Sequence, residues 1–144
     1  MTDLHLPLVF LLVAGSTLAA VLVGGCLGGG PASGDQNIRI VSPAEASALI
    51  EEREEDPKFV VIDVRRPDEF AGGHIPGAIN IDSVDFSEHL DSLDPGGTYL
   101  ICCLRGGRSA GVRELMREAG FREVYDIEGG MSAWKTAGLP VVTD

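Results

Sequence analysis

Two apolar runs, Phe59-Val60-Val61-Ile62 and Thr98-Tyr99-Leu100-Ile101-Cys102, leave this chain few folds to choose from. A strand with one wet face alternates apolar and polar residues, and the first run does not alternate at all. It reads as a central strand of a parallel sheet covered on both faces, and the second as another buried strand. Covering both faces requires helices between strands, and the intervening segments supply them. Ser42-Pro43-Ala44-Glu45 is a capping box with proline at the first helical position, opening a helix that turns Ala46, Leu49 and Ile50 inward. That helix ends in the acidic run 51–56, a solvated helix end, before Pro57. Residues 38–41, 78–81 and 123–127 read as further strands. Residues 67–70, 82–93, 110–119 and 131–136 read as helices, with Gly120 just past the third. The expectation is an α/β fold, an open parallel sheet with helices on both faces.

The chemistry is concentrated in Cys103-Leu104-Arg105-Gly106-Gly107-Arg108-Ser109, between a buried strand and the helix of Val112, Leu115, Met116 and Ala119. A cysteine at this point faces a helix N-terminus. Gly106 and Gly107 let the loop curl so that several N–H groups point inward, and Ser109 is read as the N-cap. Inward N–H groups and the positive end of a helix dipole both stabilise an anionic sulfur. Arg105 and Arg108 add fixed positive charge. Taken singly, a strand-end cysteine is a small hydrophobe, Gly-Gly a turn and two arginines a solvated face. Their coincidence within seven residues points to a loop that holds a thiolate and an anionic group attached to it. Neighbouring strand residues face opposite sides, so Cys102 is assigned to the core and Cys103 to chemistry. Asp63 and Arg65 are expected to emerge at the same sheet edge, pair there and brace the loop.

The 144 residues suffice for one domain, and 11 basic against 22 acidic residues give a net charge of −11. That balance argues against a nucleic-acid partner. Three cysteines, Cys26, Cys102 and Cys103, do not make a disulfide framework. Residues 4–27 are almost entirely apolar or small, with no lysine or arginine before Arg39. They read as a membrane anchor or the apolar region of a signal peptide. Val23-Gly24-Gly25-Cys26 resembles a lipobox, in which the cysteine carries the lipid. The chain then divides into a signal or anchor segment (residues 1–26), a Gly-rich tether (27–36) and a folded domain (37–144). A membrane-anchored location on the extracytoplasmic face follows as the expectation.

The folded part resembles the rhodanese (sulfurtransferase) domain, single-domain type. Asp63-Val64-Arg65 with Glu69-Phe70 is similar to the family's D-V-R-x-x-x-E-F signature, and residues 73–80 to its G-H-I-x-G-A-x-N segment. Cys103 to Arg108 matches the C-x-x-G-x-R active loop. Gly129-Gly130-Met131 with Trp134 matches G-G-x-x-x-W. Cys102, where many members carry tyrosine, and the apolar Leu104 are departures.

The resemblance implies that Cys103 takes the outer sulfur of a sulfane donor such as thiosulfate as a persulfide. The sulfur then passes to a thiol or cyanide. Leu104, Arg105, Gly106, Gly107, Arg108 and Ser109 would form the substrate-binding loop, with Asp63 and Arg65 behind it. Neither a metal nor a cofactor is called for, and a monomer is expected. A persulfide carrier or sensor serving a protein partner, without turnover, is the alternative. His74, Glu69 and Trp134 are assigned to structure. Cysteine-dependent phosphatases of the cell-cycle type share this fold, but place five residues between cysteine and arginine where this chain has four.

Overall fold

The computed structural model describes residues 35–144. The readings of residues 1–34, Cys26 included, lie outside the described residues. The elements in chain order are β1 (Asn37–Val41), α1 (Pro43–Glu52), β2 (Phe59–Asp63), α2 (Pro67–Ala71), β3 (Ile79–Asn80), α3 (Phe86–His89), a 3-10 turn (Leu90–Ser92), β4 (Thr98–Cys102), α4 (Gly107–Glu118), β5 (Glu123–Ile127) and α5 (Gly130–Thr136). The five strands form one sheet in the order β1-β5-β4-β2-β3, and every pairing is parallel. This is the open α/β sheet expected, with β4 and β5 near its middle.

Local chemistry explains where the elements begin and end. The Ser42 side chain accepts from the Glu45 N–H, and the Glu45 carboxylate accepts from the Ser42 N–H at 2.8 Å, closing the capping box of α1. At the end of α4 the Phe121 N–H returns to the Met116 carbonyl and the Gly120 N–H to Arg117, a Schellman ending. Two segments are shorter than the sequence suggested. The strand at residues 78–81 contracts to Ile79–Asn80 on the sheet edge, where only β2 is available to pair with it. The helix at residues 82–93 reduces to one turn and a 3-10 turn. On α4, Val112 and Met116 are buried, whereas Leu115 is half-buried and Ala119 exposed.

Strand alternation divides the core between the two faces of the sheet. Leu100 and Cys102 pack with Val41, Ala46, Tyr125, Ile127, Met131 and Trp134, on the side of α1 and α5. Tyr99, Ile101 and Cys103 pack with Phe86, Val112, Met116, Phe121 and Val124, on the side of α3 and α4. Adjacent cysteines therefore belong to different cores. Among the described residues, no helix is long and apolar enough to cross a membrane.

Candidate active site

β4 ends at Cys102 and the chain turns at once into α4, so residues 103–106 form a tight loop at the C-terminal edge of the sheet. Gly106 is the pivot. It takes φ +97°, the left-handed region, and caps α4, so that its N–H points back at the Cys103 Sγ, 3.0 Å away. Gly107 is an ordinary first helical residue and its missing side chain faces open space. Of the two loop glycines, only Gly106 is required by the backbone.

Ser109 is not the N-cap that the sequence suggested. It lies at the third helical position, completely buried, and its hydroxyl donates toward the Cys103 Sγ at 3.4 Å and the Gly106 carbonyl at 3.2 Å. The helix begins earlier than expected because Gly106 can adopt the capping conformation. That moves Ser109 one turn inward, onto the sulfur.

Cys103 is 1% exposed. Burial pushes its thiol up, but the Ser109 hydroxyl and the backbone N–H groups of Ser109, Arg105 and Gly106 outweigh it and hold the thiol below its ordinary value. Cys102 has no such ring of donors. Burial and the neighbouring Asp63 push its thiol well above the ordinary value. Two adjacent thiols thus have opposite tendencies, for the reason that divides the core: one faces a helix N-terminus and the other a packed apolar layer.

The loop is clamped from behind by α5. Met131 N–H donates to the Cys103 carbonyl at 2.8 Å and Ser132 N–H to the Leu104 carbonyl at 3.0 Å. This approach is possible only at Gly130, where an added Cβ would lie 2.3 Å from the Cys103 oxygen. Gly129-Gly130 is therefore the seat on which the cysteine loop rests, a role the sequence did not disclose.

The two loop arginines differ. Arg108 is held by Glu69 of α2 in a bidentate pair, at 2.7 and 2.9 Å. The Arg108 bonds, followed by burial acting the other way, bring the Glu69 carboxyl down to about 2. Arg105 and Leu104 are exposed at the mouth, and no carboxylate among the described residues pairs with Arg105. An open hollow of about 630 Å³ runs beside Arg105, lined also by Gly129, Ser132, Ala133, Thr136 and Ala137.

Asp63 and Arg65 do pair, at 2.6 Å, but they do not project from the sheet edge, being 0% and 3% exposed. Nor do their side chains reach the cysteine loop. Asp63 lies opposite Cys102 in register and alternates onto that face. Arg65 Nη2 also donates to the Gly73 carbonyl, while Asn80 holds the carbonyls of Asp63 and Arg65. The pair fixes the end of β2 and the turn at residue 73. His74 stacks on Phe70, with centroids 3.7 Å apart, and its Nδ1 meets the Phe70 carbonyl.

One polar group of the site was missed in the sequence. Asp126 of β5 is buried beneath α4 and paired at 2.5 Å with Arg113, which lies one helical turn from Ser109. Burial raises its carboxyl, and Ser109 and Arg113 only partly offset this. An acidic residue inside the apolar run 124–127 was the available signal.

Residues 42–137 match the family model described as the rhodanese-like domain. YtwF of Bacillus subtilis, provisionally named a sulfurtransferase, is 38% identical over 100 residues, covering 69% of this chain and 96% of that one. The thiosulfate sulfurtransferase GlpE of Pseudomonas fluorescens is 30% identical over 96 residues, 67% of this chain and 84% of its own. Among solved structures, a rhodanese-related protein from Thermoplasma volcanium aligns with a TM-score of 0.63 and 31% identity, covering 74% of this chain and 99% of that one.

Proposed function

The chain belongs to the rhodanese-like family, and from that premise we propose that it is a sulfurtransferase working through a persulfide on Cys103. The donor is thiosulfate or a similar sulfane anion, and the acceptor a thiol or cyanide. The observation that carries this reading is the ring of donors around the Cys103 Sγ. It favours the thiolate needed for attack, and it can then hold the terminal sulfur, which inherits the negative charge.

Each step balances without a metal or an oxidant. The Cys103 thiolate attacks the outer sulfur of thiosulfate, a new S–S bond forms, and the donor's S–S bond breaks. Sulfite leaves with the electron pair of the broken bond, and charge is conserved. An acceptor thiolate next attacks the terminal sulfur, and Cys103 leaves as the thiolate. Arg105, exposed at the mouth and beside the open hollow, is the cation for the donor's anionic end. Arg108 is tied to Glu69 and serves the loop's shape instead.

That tie also weighs against phosphate-ester chemistry. A phosphate needs a guanidinium free to fork across two of its oxygens, and here Glu69 already occupies the fork. Incubation with thiosulfate is expected to add the mass of one sulfur atom to Cys103, removable by cyanide. Cys103→Ser should lose the gain and Cys102→Ser should keep it. Aryl phosphate hydrolysis without sulfur uptake would overturn the proposal. Uptake of a single sulfur without multiple turnover on any donor would make the protein a persulfide carrier.

A further inference from the structure

The Ser109 hydroxyl has one proton and meets two acceptors. The Cys103 Sγ lies 3.4 Å away and the Gly106 carbonyl 3.2 Å away, and Arg113, one turn along α4 from Ser109, holds the Asp126 carboxylate on the same side of the helix. Asp126 arrives there by strand alternation. Val124, two residues earlier on β5, packs in the same core as Cys103, and Ile101 lies opposite Asp126 in register. The Asp126 side chain is 3% exposed, and its Oδ2 is bound to Arg113. Its Oδ1 is buried with no hydrogen-bond partner among the described residues. Buried carboxylate oxygens without donors are rare because each forfeits its hydration, so this one calls for a role.

We propose that Asp126 Oδ1 receives the Cys103 thiol proton through Ser109. In the thiol form the S–H bond points at Ser109 Oγ, and the hydroxyl turns from the Gly106 carbonyl toward Oδ1, a bond not made in the resting geometry. On ionisation the S–H bond breaks and an O–H bond forms on Asp126. Ser109 gives up one proton and takes another, ending as a hydroxyl that now donates to the thiolate. One negative charge moves from the carboxylate to the sulfur, where the loop N–H groups receive it, and no net charge enters the site. Ser109 touches the reacting sulfur, whereas Asp126 is a positioning residue that acts through it. This rests on Cys103 being the reactive sulfur.

The other charged groups around the pair are accounted for. Arg113 on α4 holds Oδ2, and Arg108 on the same helix is neutralised by Glu69 of α2. The Asp63–Arg65 pair at the end of β2 bears on Cys102, on the opposite face of the sheet from Cys103. Arg39 of β1 lies over the Tyr125 ring.

Two groups that share one proton titrate in two steps, with a pH-independent thiolate fraction between them. The test is the rate of iodoacetamide modification at Cys103 in the full chain, resolved by peptide mass, from about pH 4 to about pH 10. Two rises separated by a plateau are expected for the unmodified chain. Ser109→Ala and Asp126→Asn should each show a single rise, falling about tenfold per pH unit below one midpoint. Ser109→Ala leaves the Asp126–Arg113 pair in place, so the test stands even if Asp126→Asn fails to fold. A single rise in the unmodified chain would overturn the relay. So would an Asp126→Asn variant that merely moves one midpoint to lower pH, as loss of a neighbouring negative charge alone would do. Alkylation reads the proton and not sulfur transfer, so failure of the relay and failure of persulfide formation are separate results.

Discussion

At the scale of single residues, three glycines near one loop have three different obligations. Gly106 holds a positive φ and aims its N–H at the sulfur, so Gly106→Ala imposes about 1 kcal/mol of backbone strain and displaces a donor. It should lower both stability and the rate of sulfur uptake. Gly130 has no room, because its Cβ would overlap the Cys103 carbonyl, and its φ is +55° as well. Gly130→Ala should be the most damaging of the three, with a loss of roughly 2 kcal/mol or more, since the backbone of the cysteine loop itself must move. Gly107 has ordinary helical geometry and open space, so Gly107→Ala should stabilise by a few tenths of a kcal/mol. Denaturant unfolding of the three variants checks the order. A Gly107→Ala protein as unstable as Gly106→Ala would refute this account of the loop.

At the scale of elements, the site is a junction. β4 delivers the cysteine, α4 supplies Ser109 and Arg108, α5 seats the loop through Gly130, and α2 ties Arg108 through Glu69. The α2–α4 tie has a pH signature. The Glu69 carboxyl is lowered to about 2 in the folded protein, from an ordinary value of 4.5, chiefly by its bonds to Arg108. A lowered carboxyl contributes stability that is fully present above the unfolded value and is lost as pH falls through the folded value. The contribution should therefore fade between about pH 4.5 and about pH 2. Because both partners are partly exposed, solvent screening reduces it to about 1 kcal/mol. Glu69→Gln should lose that amount at neutral pH and show a flatter decline of stability in acid. Chemical denaturation at several pH values reads both effects, and an unchanged acid profile would show that the pair contributes nothing.

At the scale of the whole molecule, the sheet edge that carries the cysteine belongs to a chain of net charge −11. On the proposed reading, the chain as a whole gives an anionic donor no long-range attraction, and its capture would fall to the local positive field of Arg105 and the helix N-terminus. The apolar residues 4–27 and the Val23-Gly24-Gly25-Cys26 segment support a proposal about location. We propose that the domain is held at a membrane on the extracytoplasmic side, through a lipid on Cys26. Cys26→Ser should leave an unprocessed chain that takes up no labelled lipid. Equal labelling of the variant would replace the lipid with a simple apolar anchor.

The sequence by itself determined the fold class, because an unbroken apolar strand such as residues 59–62 has no stable place except between two layers. It also singled out Cys103 over Cys102, since the alternation of strand faces is a local rule. The capping box at Ser42 and the Schellman ending at Gly120 were legible for the same reason: their partners lie within five residues. Tertiary structure alone decided which arginine is spent and which is available, because Glu69 lies 39 residues from Arg108. It alone placed Ser109 against the sulfur, as the helix start depends on how Gly106 folds back over Cys103. The seating of the loop on Gly130 and the arrival of Asp126 beneath Ser109 also required it. Both come from β5 and its following helix, brought to the cysteine by strand order, and strand order is set by packing between distant segments rather than by any neighbour in the chain.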